Sequence, residues 1–267
     1  MSFVLDEIGI WRAQSLLSRA FAILGLCVTT GCVVPEPTYP DLSGLAVDGG
    51  GLIVLVHGSG DSPEDWPAAM SLTLTGALSD SSRWDVWTYD WREDAAQRLV
   101  AAELGLLHGA HLGEVIAEQD ELVEVHLVGH SVGAFVVHGV EQHFGSLGED
   151  APLLQSTYLD PFAGRGDDWD YGQEHFGESA VFADAYVNRD DSAPSTNGSL
   201  DWAHNFDVTA LRPEGLSGRD AHWWPTQFYM ESDGAGEPGL GLTPEVAGVD
   251  LASLHDSWPR GAETVVP

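Results

Sequence analysis

Ser131 stands in Gly129-His130-Ser131-Val132-Gly133, the pattern G-x-S-x-G. A serine hydroxyl is a poor nucleophile at neutral pH and becomes a useful one when a sharp turn holds it where a base can reach. Glycines on either side permit that turn. The apolar residues Leu122, Val123, Val125, Leu127 and Val128 precede it as a run of strand length. Val132, Phe135, Val136, Val140 and Phe144 follow at mostly helical spacing. The stretch therefore predicts strand, turn and helix, with Ser131 at the turn. The amide of Val132, next in the chain, is placed to donate to a developing oxyanion. The plainer alternative is a serine that only starts a helix, since serine is a good N-cap.

Such a hydroxyl needs a base, usually histidine, and the base needs a carboxylate to orient it. In a parallel sheet the strand ends converge on one edge, so both partners belong at the ends of later strands. Asp160 closes the apolar stretch 155–159, with Pro161 after it, and is the leading candidate acid. Asp184 inside the next strand, and Asp190 and Asp191 after it, are the alternatives. The plain reading of Asp160 is a loop cap bonded to its own backbone. His222, at a loop-helix junction in RDAHWWPTQFY, is the leading base, with His204 second. His57 belongs to the end of the first strand, and His108, His111, His138, His143 and His255 read as packing or surface residues. The loop His57-Gly58-Ser59-Gly60 frees the backbone to approach a ligand, which makes the amide of Ser59 the second oxyanion donor.

The elements that must position these groups alternate as strands and helices. That alternation predicts an α/β class with a mostly parallel sheet covered on both faces. Strands are expected over 51–57, 84–89, 155–159, 180–187 and 205–211, besides the one leading to Ser131. A helix is expected from a Ser62 cap with Pro63 in its first turn, turning Trp66, Met70, Leu72 and Leu74 to the sheet. A long helix over 93–118 would carry Leu99, Leu104, Leu107, Val115 and Ile116 as its stripe, interrupted near Gly109. A closing helix is expected over 221–230, and the Gly- and Pro-rich tail from Ser232 allows either extended packing or disorder.

Five pieces, LIVLVHGSG, WDVWTYDW, HLVGHSVGA, TYLDPF and DAHWWPTQFY, occur in an order that resembles the α/β-hydrolase superfamily, in particular its lipase and esterase branch. TYLDP looks like the pancreatic-type lipases, where the acid follows the strand after the nucleophile helix. The resemblance implies an α/β-hydrolase fold, with Ser131 as nucleophile, Asp160 as acid, His222 as base, and Ser59 and Val132 as oxyanion donors. No phosphate-cradling or dinucleotide pattern occurs, and no cofactor is expected. The chain is too short for that family's extra C-terminal β-sandwich, and it has no obvious long lid, although 163–179 is placed to cover the pocket. The expected activity is cleavage of carboxylic esters through an acyl-enzyme, on an ester or lipid small molecule. The alternatives are acyl transfer or thioester cleavage by the same machinery, or a non-catalytic scaffold used for surface binding.

Composition sets the outer limits. The chain has 267 residues, ten of them basic, all arginine, against 42 acidic ones, for a net charge of −32. Such a surface repels phosphate backbones, which argues against a nucleic-acid partner, and repels anionic bilayers. Asp167, Asp168 and Asp170, and the pair Asp190 and Asp191, lack EF-hand spacing and read as solvated loops, with no metal site expected and calcium binding as the alternative. The two cysteines, Cys27 and Cys32, both lie near the N-terminus. Arg12 and Arg19 precede an apolar run at 20–28 that is long enough for an export signal but too short to span a bilayer. The run ends in Val28-Thr29-Thr30-Gly31-Cys32, which resembles the lipobox of bacterial lipoproteins and implies lipidation of Cys32. The expected organisation is a signal at 1–31, a Pro-rich tether at 32–49, a catalytic domain at 50–231 and a C-terminal extension at 232–267. The expected location is outside the cytoplasm, lipid-anchored at the outer membrane or cell surface, or else secreted or periplasmic, with membrane contact only through that anchor.

Overall fold

Near-continuous apolar runs form strands that are buried on both faces, and the structure, a computed structural model, puts them in one parallel sheet. It describes residues 33–232, 237–242 and 250–267. The expected signal at 1–31 and Cys32 lie outside the described residues. The chain divides after Glu36, and the unit Pro37–Pro267 carries the fold that follows.

The strands are β1 Gly51–Val56, β2 Trp84–Tyr89, β3 Glu124–His130, β4 Leu153–Leu159, β5 Phe182–Val187, β6 His204–Asp207 and β7 Glu263–Val265. Their order across the sheet is β2-β1-β3-β4-β5-β6-β7, and every pairing is parallel. The longer helices are α1 Trp66–Ala77, α3 Ala101–Ala117, α4 Ala134–Leu147 and α6 Arg219–Glu231, with short turns α2 Arg92–Ala95, α5 Tyr171–His175 and α7 Leu254–Ser257. Along β1, Leu52, Val54 and Val56 join the core that also holds Phe135 and Val136 of α4, and Leu112 and Ile116 of α3. Ile53 and Leu55 join the opposite core, with Trp66 and Met70 of α1 and Trp224 of α6. Both faces are therefore apolar, which is why the strand reads as an unbroken run. The chain passes from β1 out to β2 and returns on the other side of β1 as β3, so the sheet has a switch point at the C-terminal ends of β1 and β3. Among the described residues no helix is long and apolar enough to cross a membrane.

Several expectations need correction. The first helix begins at Trp66 with Pro67 in its first turn, not at Ser62-Pro63. Ser62 is instead drawn into a turn by Asp65, whose carboxylate accepts from its amide at 2.8 Å and its hydroxyl at 2.9 Å. Leu72 lies on the solvent side of α1, 78% exposed. The long helix is broken between Ala95 and Ala101, because the backbone and side-chain amides of Gln97 both turn onto Asp94. Leu99 is consequently exposed, and Leu107 partly so. At Gly109 the helix runs on, and a Cβ there would lie 2.2 Å from the carbonyl oxygen of Val136, so α3 and α4 touch backbone to backbone. The strand expected over 205–211 ends at Asp207, and Thr209–Leu211 forms a 3-10 turn. The segment from Ser232 onward adds β7 to the same sheet.

Candidate active site

Ser131 follows β3 directly, begins the turn Ser131–Gly133 and has a φ of +54°. That left-handed conformation costs a non-glycine residue about 1 to 2 kcal/mol and persists only where the surroundings impose it. Here they do. A Cβ at Gly133 would sit 2.7 Å from the carbonyl oxygens of both Val56 and His57, and one at Gly58 would sit 2.8 Å from the Cβ of Ser131. Gly133 and Gly58 are thus spaces into which the end of β1 and the serine turn press against each other. The sharp turn leaves Ser131 at the wall of a cleft of about 370 Å³.

Asp160 follows β4, also with a left-handed φ, of +44°. Its amide donates to the carbonyl of Tyr186 at 2.8 Å, which carries the β4–β5 pairing one residue past the strand. One carboxylate oxygen accepts from the amide of Asn188 at 2.9 Å, and the other lies 2.7 Å from Nδ1 of His222. Asn188 also donates through Nδ2 to the carbonyl of Ala221 at 2.9 Å, which ties the loop after β5 to the first turn of α6. His222 sits in that turn. Its Nδ1 also lies 2.9 Å from Oδ2 of Asp191, the same oxygen that accepts from Thr196 Oγ1 at 2.8 Å. Two buried carboxylates therefore meet one imidazole nitrogen.

The three groups titrate as a set. Burial pushes Asp160 up, to about 7, against the opposing hydrogen bond and charge of His222. Burial also raises Asp191, but the hydrogen bond and charge of His222, with the Thr196 hydroxyl, outweigh it and hold Asp191 well below the usual carboxylate range. Burial opposes a charge on His222, yet the bonds to Asp160 and Asp191 overcome it and hold the imidazole up at about 9. Both carboxylates thus favour the protonated imidazole. With Nδ1 committed to carboxylates, Nε2 is the nitrogen left to exchange a proton with a partner.

A second layer steadies His222. His130 lies 3.1 Å through Nε2 from the carbonyl oxygen of His222, and the two rings lie 4.6 Å apart between centroids at a tilt of 44°. Nδ1 of His130 meets Asp61 at 3.2 Å, and Asp61 also accepts from Arg219 at 2.8 Å and Trp223 at 3.2 Å. Burial raises Asp61, but His130 and Arg219 outweigh it and keep it below its ordinary value. None of these contacts was legible locally, since His130 and Asp61 lie 69 residues apart.

Ser131, Val132, Ser59, Phe162, Trp169 and His222 all line the cleft, which brings together every residue expected there except Asp160, buried behind His222. The hydroxyl of Ser59 is buried without a hydrogen-bond partner. From the segment 163–179, Trp169 reaches the cleft wall while 56% exposed, and Arg165 is pinned by Glu103 through two bonds of 2.8 and 2.9 Å. The other candidates go elsewhere. Asp184 is spent within the sheet, accepting from Thr157 at 2.5 Å and Tyr186 at 2.9 Å. Asp190 pairs with Arg212 at the surface, and His204 bonds Pro259 and Thr264 beside β7. His57 is buried against Gly58 and Trp91. Among the described residues, the group of metal-ligand types that converges is Asp160, Asp191 and His222, with atoms within 4.8 Å of one another. Direct contacts of 2.7 and 2.9 Å between these atoms leave no room for an ion among them in this arrangement.

An alpha/beta hydrolase family model matches residues 53–265. The match covers most of the chain and includes the serine turn, both carboxylates and His222, so the chain belongs to the alpha/beta hydrolase family. Membership supports hydrolase-type chemistry. Comparison with curated proteins gives no match.

Proposed function

We propose that this protein is a serine hydrolase of the lipase and esterase type that cleaves carboxylic esters. The observation that carries the reading is the 2.7 Å contact of the buried Asp160 with His222, which lines the same cleft as Ser131. In this reading His222 takes the Ser131 proton through Nε2 as Oγ attacks the ester carbonyl. The amides of Ser59 and Val132 receive the oxyanion, and the orphaned Ser59 hydroxyl lies within the same wall. His222 then protonates the departing alcohol, leaving an acyl-enzyme. Water, deprotonated by His222, releases the carboxylic acid and restores the serine. The apolar side of the cleft, with Phe162 and Trp169, suits an acyl chain or an apolar alcohol.

The same reading places the enzyme outside the cytoplasm on a lipid anchor at Cys32. Its support is the short apolar run before that cysteine and the Pro-rich stretch after it.

Hydrolysis of p-nitrophenyl butyrate by the wild type and by Ser131→Ala tests the activity. The expected loss is on the order of 10³-fold or more. Retention of most of the wild-type rate in Ser131→Ala would remove Ser131 from the chemistry.

A further inference from the structure

Cations are scarce in this chain, and among the described residues all but one of the arginines are engaged. Ten arginines face 42 acidic residues, and Arg12 and Arg19 lie outside the described residues. Of the rest, Arg83, Arg92, Arg165, Arg189, Arg212 and Arg219 each pair with a carboxylate. Arg260 donates to the carbonyls of Glu178 and Ala180. Among the described residues, Arg98 is the one guanidinium with no ion pair and no side-chain hydrogen bond. In a chain of net charge −32 a free arginine does not lack for acidic surroundings, so its isolation is a matter of where it is held.

It is held at the catalytic cleft. Arg98 lines the apolar cavity that contains Ser131, and also the adjoining polar hollow of about 360 Å³ that runs past His222 to Asp61. Its backbone sits in the turn between α2 and α3, which is tied down locally. Gln97 donates to Asp94 at 2.8 Å, Asp94 is anchored by His108 at 2.8 Å, and the amide of Val100 closes onto Gln97 at 2.9 Å. The acidic groups that line the same space are already compensated: Asp61 by Arg219 and His130, Asp191 by His222 and Thr196. While His222 is protonated, the uncompensated charge among the groups lining this space is therefore positive and belongs to Arg98. A guanidinium presents a planar fork of donors that suits carboxylate or phosphate oxygens.

We propose that Arg98 recognises an anionic group on the substrate, so that the preferred esters carry a carboxylate or a phosphate close to the scissile bond. The inference rests on the reading of Ser131 as an ester-cleaving nucleophile and adds the substrate class to it. A carboxylate on the acyl side and a phosphate on the alcohol side offer Arg98 the same oxyanion chemistry, and the substrates below separate them.

The test uses the full chain at about 0.15 M salt, where the Debye length of about 8 Å screens the overall negative field. Monoethyl succinate is compared with its neutral counterpart ethyl levulinate, and butyryl glycerol phosphate with monobutyrin. The wild type, Arg98→Gln and Arg98→Lys are assayed on each pair. In the wild type, kcat/KM for the anionic member of at least one pair should exceed that for the neutral member by about 10- to 100-fold, mostly through KM. Arg98→Gln should bring that ratio close to one, and Arg98→Lys should fall between. A preference in the succinate pair assigns the anion to the acyl side, and one in the phosphate pair to the alcohol side. A wild-type ratio near one in both pairs overturns the proposal and leaves the esterase reading intact. So does a ratio that Arg98→Gln leaves unchanged, or failure to cleave all four while p-nitrophenyl butyrate is hydrolysed. Absence of hydrolysis of every ester, p-nitrophenyl butyrate included, takes the esterase reading down and this inference with it. The wild-type ratio and Arg98→Lys keep the test decisive if Arg98→Gln does not fold.

Discussion

Two carboxylates on one histidine nitrogen is the feature that most shapes what Ser131 can do. A base held up at about 9 is mostly protonated at neutral pH and is then unable to accept the serine proton. The acid limb of kcat/KM should therefore lie above the ordinary histidine range, with activity rising toward pH 9. The sign for stability is opposite. A histidine whose folded pKa is raised contributes stability that is fully present below its unfolded value near 6.5 and is lost as pH rises through about 9. Activity is thus gained over the same interval in which that contribution disappears. Because Asp160 and Asp191 together hold His222 up, Asp160→Asn and Asp191→Asn should each move the acid limb down by about one to three pH units. Each single variant should lose less than about a hundredfold in kcat, since one carboxylate still orients His222. The double variant should approach the roughly 10⁴-fold loss of a site with no such partner. Profiles of kcat/KM from pH 5 to 10 check this, and an acid limb that stays in place in Asp191→Asn would show that Asp191 carries no charge toward the base. Part of this was legible in the sequence. Asp160 and Asp191 were both visible as acids after strands, but as alternatives. Only the loop 188–196, folded back by the Thr196 bond to Asp191, brings the second to the same nitrogen.

At the scale of elements, what could be read were the apolar runs, because strands buried on both faces announce themselves in composition. The serine turn could also be read, because its glycines are demanded by contact. The carbonyls of Val56 and His57 would meet any Cβ at Gly133, so the end of β1 and the turn after β3 specify each other. Helix limits were less legible. The periodic apolar residues from 93 to 118 suggest one helix, yet Gln97 turns onto Asp94 and breaks it. That break is what puts Arg98 on a fixed turn at the cleft instead of on a helix face. Likewise β7 was hidden in a Gly- and Pro-rich tail. Its three residues gain strand geometry only by pairing with β6, a contact between segments some sixty residues apart in sequence. Where a side chain's role is set by such distant partners, as for Asp61, His130 and Arg219, no local pattern carried it.

For the whole molecule the charge of −32 bears on attachment as well as on chemistry. A surface so acidic is repelled by anionic head groups, so firm membrane association requires acyl chains. Full-length protein made in a bacterium should partition with membranes, with Cys32 as its mature N-terminus and added acyl mass. Cys32→Ala should fail to mature. A mature N-terminus elsewhere, without acyl mass, would leave a secreted enzyme. The central claim, that Ser131 is a nucleophile activated by His222, is tested most directly by the mass of the whole protein after treatment with a fluorophosphonate. One adduct per chain is expected, mapped to the peptide that contains Ser131, and none on Ser131→Ala. A wild-type protein that stays unmodified at pH 9, where His222 is free to act as a base, or one modified at a different serine, would contradict the account.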